Sequence, residues 1–255
     1  MIAKVDSNGQ IFSINLDHPV DISIPLRAGK ENVNAWYVDP MSIEPVRTEH
    51  FLGSVAEGGN VNFRDIAFNP HGNGTHTECV GHIAKEIFSI NDAVKRNFFM
   101  AEVITVTPEN WNEKREWREP GDLVIEEAQL EEVISKAPEA IIIRTLPNSQ
   151  TKLNLQYSNS NPPYLCDKAA RAICEAGIKH LLIDLPSVDR EHDGGLMLSH
   201  RAFWNYPDSP RMDATITELI YVPDHVADGS YVLQIQMAPF VNDASPSKPT
   251  LYEIF

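Results

Sequence analysis

Cysteine, basic charge and long apolar runs are all scarce in this sequence. Its 255 residues include only three cysteines, Cys79, Cys166 and Cys174, with no C-x-x-C pair among them. An odd number of unpaired thiols argues against a secreted disulfide framework. No stretch of 18 apolar residues occurs, and the first residues have no apolar core typical of a signal peptide. We therefore expect no membrane association and a cytoplasmic location.

Basic residues are too few to favour an anionic partner. Lys and Arg number 21 against 36 Asp and Glu, which gives a formal net charge of −15. Such a charge repels nucleic-acid phosphates and anionic lipids, and no local run of Lys or Arg reverses it. With 42% hydrophobic residues, 13 Gly and 18 Pro without a period, the chain is neither disordered nor of low complexity. A small molecule is the expected partner.

Apolar periodicity predicts an α/β fold, with one domain over residues 1–255. Two-residue alternation or short apolar runs predict strands at 11–16, 19–24, 61–69, 99–106 and 231–237. Apolar residues at helical spacing from Leu130 to Ala137, followed by Pro138, predict a helix.

The middle of the chain predicts a βαβ unit. Buried strands are expected at 140–144 and 180–184, with a helix over 162–176 between them. Asn161 and Pro162 are suited to begin that helix, and Gly177 is suited to end it. The two strands should be parallel neighbours, with 148–163 forming a surface loop.

Three histidines and a glutamate are concentrated within twelve residues. His71, His76 and His82 surround Glu78, and Gly72 and Gly74 lie between the first two histidines. If the chain is extended after Thr75, the side chains of His76 and Glu78 point to the same side. Imidazole nitrogens with a carboxylate favour Zn²⁺, or Mn²⁺, over other ions. The alternative is a polar turn that carries unrelated histidines.

Three other positions have less specific signals. Cys79 should point away from His76 and Glu78, as a small buried apolar side chain does. Arg144, at the end of a predicted strand, could contact an anion or form a surface ion pair. The His192–Asp193 pair precedes two glycines, a pattern that favours a loop.

The segment from His71 to His82 resembles the signature H-x-G-T-H-x-D-x-P-x-H of the cyclase-like metal-dependent hydrolases, which include bacterial kynurenine formamidase and isatin hydrolase. Further blocks from residue 21 to 246 are similar to family motifs: D-I-S-I-P-L from Asp21, W-Y-V-D-P from Trp36, D-L-P-S-V-D from Asp184, S-H at Ser199 with Glu218, and D-A-S-P from Asp243.

This resemblance implies a fold similar to the swivelling β/β/α domain of that family, and a set of site residues. By position, His76 corresponds to a metal ligand, Glu78 to a carboxylate that can bridge two metals, and His82 to the proton donor and acceptor. His200 and Glu218 correspond to further metal ligands, and Trp36 to an aromatic residue that contacts the substrate. One or two ions and a homo-oligomer, either dimer or tetramer, are implied as well.

The implied activity is hydrolysis of an amide-type C–N bond. The substrate would be an N-aryl formamide such as N-formylkynurenine, from tryptophan catabolism, or a cyclic amide. Two alternatives remain open: a lactone hydrolase or cyclase on the same scaffold, and a binding protein whose metal site is incomplete.

The sequence departs from the signature at its first histidine. The family places that histidine four residues before His76, where this chain has Gly72, whereas His71 lies five residues before. We expect one inserted residue, absorbed by the glycines, so that His71 still faces the metal. If that ligand is absent, the site has an open position there.

Overall fold

Strands outnumber helices in the computed structural model of the protein, which describes residues 1–7, 9–112 and 117–255. The strands are β1 (Ile2–Ser7), β2 (Gln10–Asn15), β3 (Val20–Asp21), β4 (Ser42–Pro45), β5 (Arg47–Thr48), β6 (Phe51–Leu52), β7 (Arg64–Ala67), β8 (His76–Cys79), β9 (Phe98–Val106), β10 (Glu109–Asn110), β11 (Leu123–Ile125), β12 (Ala140–Thr145), β13 (Tyr164–Leu165), β14 (His180–Ile183), β15 (Thr215–Glu218), β16 (Gly229–Met237) and β17 (Ala244–Glu253). The α-helices are α1 (Ile90–Ala93), α2 (Glu131–Ser135), α3 (Asp167–Glu175) and α4 (Leu198–Trp204).

Seven strands form one closed sheet. Their order is β16-β9-β12-β14-β15-β8-β17, and pairing of β17 with β16 closes it, while β3 pairs with the other end of β17. The run β9-β12-β14-β15 is parallel, and the remaining pairs are antiparallel. Because β8 lies between β15 and β17, it receives side-chain neighbours from distant parts of the chain.

The two faces of this sheet have different surroundings. Side chains on the inner face, including Phe99, Ile142 and Leu182, form an apolar cluster inside the closed sheet. On the outer face, Ile183 and Ile216 belong to a second cluster that includes residues of α3 and α4. α4 therefore covers the outer face of β14 and β15.

The predicted βαβ unit is present, but its helix begins later than the sequence indicates. β12 and β14 are parallel neighbours, as predicted. Gly177 has the positive φ of 78° expected after a helix end. The prediction that Asn161 and Pro162 begin the helix is wrong, because Tyr164 and Leu165 pair with β11 instead. Cys166 caps α3, its sulfur accepting a bond from the amide of Ala169 at 3.2 Å.

Other predicted elements are present but shorter. The strand expected at 19–24 is reduced to β3, that at 61–69 to β7, and the helix ending at Ala137 to α2. The 148–163 segment is a connection that contains a 3₁₀ turn, Gln150–Leu153, and three buried residues, Lys152, Tyr157 and Pro162. No helix in the described ranges is both long enough and apolar enough to span a bilayer.

Candidate metal centre

β8 places His76 and Glu78 on the same face of the sheet. His76 lies opposite Glu218 of β15, and Glu78 lies opposite Ile216. Because paired residues project to the same side and Ile216 packs under the helices, these side chains all lie on the outer, helix-covered face. Cys79 points elsewhere, into a small apolar cluster with Ile90 and Ala93, in agreement with the sequence prediction.

Four of the residues that the family resemblance indicated converge here from three segments of the chain. His200 Nε2 lies 3.0 Å from Glu78 Oε1 and 3.7 Å from Glu218 Oε1. His76 Nε2 lies 3.4 Å from Glu218 Oε2. All four side chains are buried. β8 and β15 supply His76, Glu78 and Glu218. α4, which packs on the outer face of the sheet, supplies His200.

His71 faces the same cluster despite the extra residue in the sequence. Its Nδ1 lies 3.0 Å from Glu78 Oε2, so its ring occupies the side of Glu78 that is opposite to His200. The glycines allow this by permitting close packing, since neither has a positive φ. A Cβ on Gly72 would lie 2.5 Å from Val38 Cγ2, and one on Gly74 would lie 2.4 Å from Leu26 Cδ2.

His82 lies beside the buried cluster and is partly exposed. It belongs to the 3₁₀ turn Val80–His82 that directly follows β8. Its Nδ1 lies 3.8 Å from Glu78 Oε2 and 3.4 Å from Asp243 Oδ2. Its side chain is 27% exposed, whereas Glu78 is fully buried. It is therefore accessible to a small molecule while remaining close to the carboxylate.

Three histidines share one arrangement. One ring nitrogen points at the cluster centre, and the other is hydrogen-bonded to an oxygen outside the cluster. The nitrogen behind His76 is Nδ1, 2.9 Å from Gly74 O. For His71 it is Nε2, 2.9 Å from Asp243 Oδ2, and for His200 it is Nδ1, 2.5 Å from Asp189 Oδ2. Metal-binding histidines in proteins are held in this way. Asp189 and Asp243 lie in the D-L-P-S-V-D and D-A-S-P motifs, but no local signal in the sequence indicates that they belong to the site.

Two buried polar atoms at the centre lack hydrogen-bond partners within the described parts of the chain. They are His76 Nε2 and Glu78 Oε2. Unpaired buried polar atoms are costly, so their presence at one point calls for a ligand. Ligand atoms of three sets lie within 4.8 Å of one another: His71, His76 and Glu78; Glu78, His82 and His200; and His71, His82 and Asp243. These nitrogen and oxygen donors fit a divalent cation.

The charges at the cluster also call for a cation. Burial alone would raise the pKa of Glu78, but His82, His200 and His71 hold it well below its usual value. Burial would lower the pKa of His71, yet the adjacent carboxylates of Asp243 and Glu78 raise it to about 10. Without a metal the carboxylates thus retain protons on the imidazoles, and a divalent cation would displace those protons.

A cavity of about 370 Å³ opens above the cluster. His71, His82, His200 and Glu218 lie at its base, and Trp36 and Val38 contribute an apolar wall. Trp36 has a positive φ of 58°, an uncommon conformation for a bulky residue. Its indole Nε1 donates to Pro186 O at 3.3 Å, which ties the wall to the loop after β14.

The two remaining sequence candidates lie outside the cluster. Arg144 is buried and donates to the carbonyls of Pro223 and Val226, and it pairs with Asp228 at 3.0 Å. Arg144 therefore forms an ion pair, as one interpretation predicted, but its side chain is buried and not at the surface. His192 lies in a loop, as predicted, with its Nε2 3.3 Å from Tyr37 OH.

A comparison with protein families decides the family. The family model described as "Putative cyclase" matches residues 20–190 of the chain. The protein belongs to the cyclase family. This confirms the resemblance that the motifs indicated, and the matched range includes the His71–His82 segment, Trp36 and Asp189. No curated protein matches the chain in sequence.

Solved structures share the α/β fold of this cyclase-family chain. One described as a potential metal-dependent hydrolase with cyclase activity has 16% identity and a TM-score of 0.61, over 92% of this chain and 97% of the other. An isatin hydrolase bound to the product analogue thioisatinate has 11% identity and a TM-score of 0.64, over 92% of each chain. Isatin hydrolase A from Labrenzia aggregata has 13% identity and a TM-score of 0.64, over 92% and 93%. The predicted α/β fold class is thereby confirmed.

Proposed function

We propose that this cyclase-family protein is a metal-dependent hydrolase of an amide-type C–N bond. The observation that carries the proposal is a pair of buried atoms without hydrogen-bond partners in the described residues, His76 Nε2 and Glu78 Oε2. They lie next to Glu218 and His71, which line the cavity beside Trp36. Membership of the cyclase family supports hydrolysis, and so does the similarity in fold to a potential metal-dependent hydrolase and to an isatin hydrolase.

The proposed ligands are the residues whose donor atoms surround that point. They are His71, His76, Glu78, His200 and Glu218. When bound, a divalent cation supplies Lewis acidity, which lowers the pKa of water and polarises a carbonyl group. We propose Zn²⁺, with Mn²⁺ as the alternative, because both accept mixed imidazole and carboxylate donors. Two carboxylates and three histidines provide enough donors for one ion or two.

His82 is the proposed acid and base. It lies next to the ligands, lines the cavity and remains partly exposed. In hydrolysis it takes a proton from the attacking water as the C–O bond forms. It returns that proton to the leaving nitrogen as the C–N bond breaks, so that the products are a carboxylic acid and an amine. An imidazole suits this exchange because its ordinary pKa is close to neutral pH.

The apolar wall favours a substrate with a planar ring. Trp36 can pack against an aromatic ring while the scissile carbonyl faces the histidines. We therefore propose an N-aryl formamide such as N-formylkynurenine, or a cyclic amide fused to an aromatic ring. We also propose a homo-oligomer, dimer or tetramer, on the resemblance to the family alone.

The test is a hydrolysis panel with zinc-loaded and manganese-loaded protein. The panel contains N-aryl formamides, isatin-like cyclic amides, and lactones of matched ring size. Turnover of an amide that disappears in His82→Ala supports the proposal. Glu44→Gln, at an exposed position that does not line the cavity, serves as a control variant. Turnover of lactones alone would replace the proposal with the lactonase alternative. No turnover of any substrate by the loaded protein would favour a binding protein.

A further inference from the structure

Asp243 lies just before β17 and faces two of the histidines at the site. We propose that Asp243 is a positioning residue that orients both His71 and His82, one as metal ligand and the other as proton carrier. The inference rests on the proposed function, but it concerns a residue that neither the motif resemblance nor the comparisons assign to the site.

A single carboxylate oxygen contacts both rings. Asp243 Oδ2 lies 2.9 Å from His71 Nε2 and 3.4 Å from His82 Nδ1. The centroids of the two rings are 4.3 Å apart, and their planes are inclined by 30°. The two imidazoles thus lie side by side, with His71 hydrogen-bonded to this oxygen and one nitrogen of His82 close to it.

This contact selects the tautomer of each ring. An ionised carboxylate only accepts hydrogen bonds, so the ring nitrogens that face Asp243 carry hydrogen. In a neutral His71 the lone pair then lies on Nδ1, which is 3.0 Å from Glu78 Oε2 and directed at the proposed metal position. In a neutral His82 the lone pair lies on Nε2, which leaves that nitrogen free to accept a proton. The same carboxylate therefore prepares one ring for ligation and the other for proton transfer.

The backbone around Asp243 is built to hold it there. The amide of Cys79 donates to Asp243 O at 3.0 Å, and Ala244 pairs with Glu78 across the β17–β8 ladder. Gly81 permits the close approach: a Cβ at that position would lie 2.6 Å from Phe88 O and 3.2 Å from Asp243 Cβ. Asp243 is therefore fixed to the same strand that carries Glu78.

Asp189 offers a matched comparison within the same site. It is buried and backs His200 alone, and it also accepts the amide hydrogens of Ser199 and His200. Replacing Asp189 should change zinc affinity through the orientation of His200. Asp243 should act through His71 and His82, so double-mutant cycles can separate the two carboxylates.

The first arm measures zinc affinity by competition with a chelator. Asp243→Asn should weaken zinc binding by about 10–100-fold, the loss typical for a partner of a metal ligand. In a His71→Ala background the same substitution should have little further effect, whereas Asp189→Asn should still weaken binding. An equal loss from Asp243→Asn in both backgrounds would overturn the role of Asp243 toward His71.

The second arm follows His82 by nitrogen NMR and by turnover. In the zinc-loaded protein the His82 ring should carry its hydrogen on Nδ1, and in Asp243→Asn the two tautomers should mix. At saturating zinc, Asp243→Asn should lower kcat in the parent protein but not in His82→Ala. A His82 tautomer unaffected by Asp243→Asn, or an undiminished loss in His82→Ala, would overturn the role of Asp243 toward His82.

The arms also separate this inference from the proposed function. If zinc binds and couples to Asp243 but no amide is hydrolysed, the hydrolase proposal fails and the positioning of His71 stands. If amides are hydrolysed and neither arm shows coupling, the hydrolase proposal stands and the role of Asp243 fails. Because Asn has nearly the same volume as Asp, the variant should retain the parent melting temperature within a few degrees when zinc is absent, and Asp243→Glu provides a second variant that retains the charge.

Discussion

The two faces of strands β8, β14 and β15 differ in whether buried polar side chains find hydrogen-bond partners within the chain. On the inner face, Thr77 Oγ1 pairs with Thr217 Oγ1 at 2.8 Å, and His180 Nδ1 pairs with Thr215 Oγ1 at 2.8 Å. On the outer face, His76 Nε2 has no hydrogen-bond partner in the described residues. Both His76 and His180 are buried, yet only His76 has a buried ring nitrogen without a hydrogen-bond partner in the described residues. The inner-face threonines and His180 have hydrogen-bond partners in the chain, whereas His76 Nε2 and Glu78 Oε2 on the outer face are left for a ligand.

The charge state of the two histidines follows the same division. Burial, together with the positive charges of Arg96 and Lys179, lowers the pKa of His180 to about 3, so its ring is neutral. His200 on the outer face is also buried, which alone would lower its pKa, but Asp189 and Glu78 raise it well above the usual value. The outer face therefore attracts positive charge, whereas the inner face excludes it.

The largest expected effect concerns His82. Replacing it by Ala should lower kcat on the order of 10²–10⁴-fold, because a general acid and base is lost. Zinc content should stay nearly unchanged, since His82 is not one of the proposed ligands. Steady-state kinetics and metal analysis on the same sample give both numbers. A parallel fall in zinc content would place His82 among the ligands and contradict the assignment.

An acid titration probes the inner face. His180 binds a proton in the unfolded chain below pH 6.5, but in the folded chain only near pH 3. The free energy of unfolding should therefore fall as pH drops from 6.5 toward 3, by up to about 1.4 kcal/mol per pH unit from this residue. Urea unfolding of the parent and of His180→Gln at several pH values would measure it. A slope that is the same in both proteins would contradict the neutral buried state.

The zinc affinities of two variants, His71→Ala at the outer-face cluster and His180→Gln on the inner face, compare the two faces. His71→Ala should weaken zinc binding by at least about 10–100-fold, as loss of a ligand costs no less than loss of its supporting partner. His180→Gln, on the inner face of the same sheet, should leave zinc affinity unchanged. Competition with a chelator measures both variants. Equal zinc affinity in His71→Ala and the parent would show that His71 is not a ligand.

The smallest effect is expected for the threonine pair on the inner face. Thr217→Val alone should lower the free energy of unfolding by about 1–3 kcal/mol, since it leaves the hydroxyl of Thr77 buried without its partner. Replacing both threonines by Val should recover much of that loss because no polar group is then stranded. Chemical unfolding of the two variants would test this, and a double variant less stable than the single one would argue against it.

Sequence alone predicted the site residues that are close together in the chain, but few of those that come from distant segments. Alternation along β8 was sufficient to place His76 and Glu78 on one face. The contribution of His200 and Glu218 came only from family resemblance, because neither the pairing of β15 with β8 nor the packing of α4 on the sheet leaves a periodic signal in the sequence. Asp243 was missed for the same reason: its position depends on pairing of β17 with β8.

Local signals also failed where a tertiary contact overrode them. Asn161 and Pro162 are good residues for a helix start, yet Tyr164 and Leu165 are drawn into a strand by pairing with β11. The helix then begins at Asp167, where Cys166 provides an unusual sulfur cap. A pattern of caps and apolar spacing predicts that a helix exists more reliably than it predicts where the helix starts.

Calorimetric titration of metal-free protein with Zn²⁺, together with thermal melting of the same samples, tests the central claim most directly. The account predicts saturable binding of one or two ions per chain, release of protons on binding, and a higher melting temperature. His76→Ala should abolish or greatly weaken this stabilisation, while His180→Gln should retain it. Absence of zinc and manganese binding, with a melting temperature unchanged by either ion, would contradict the assignment of the outer-face cluster as a metal centre.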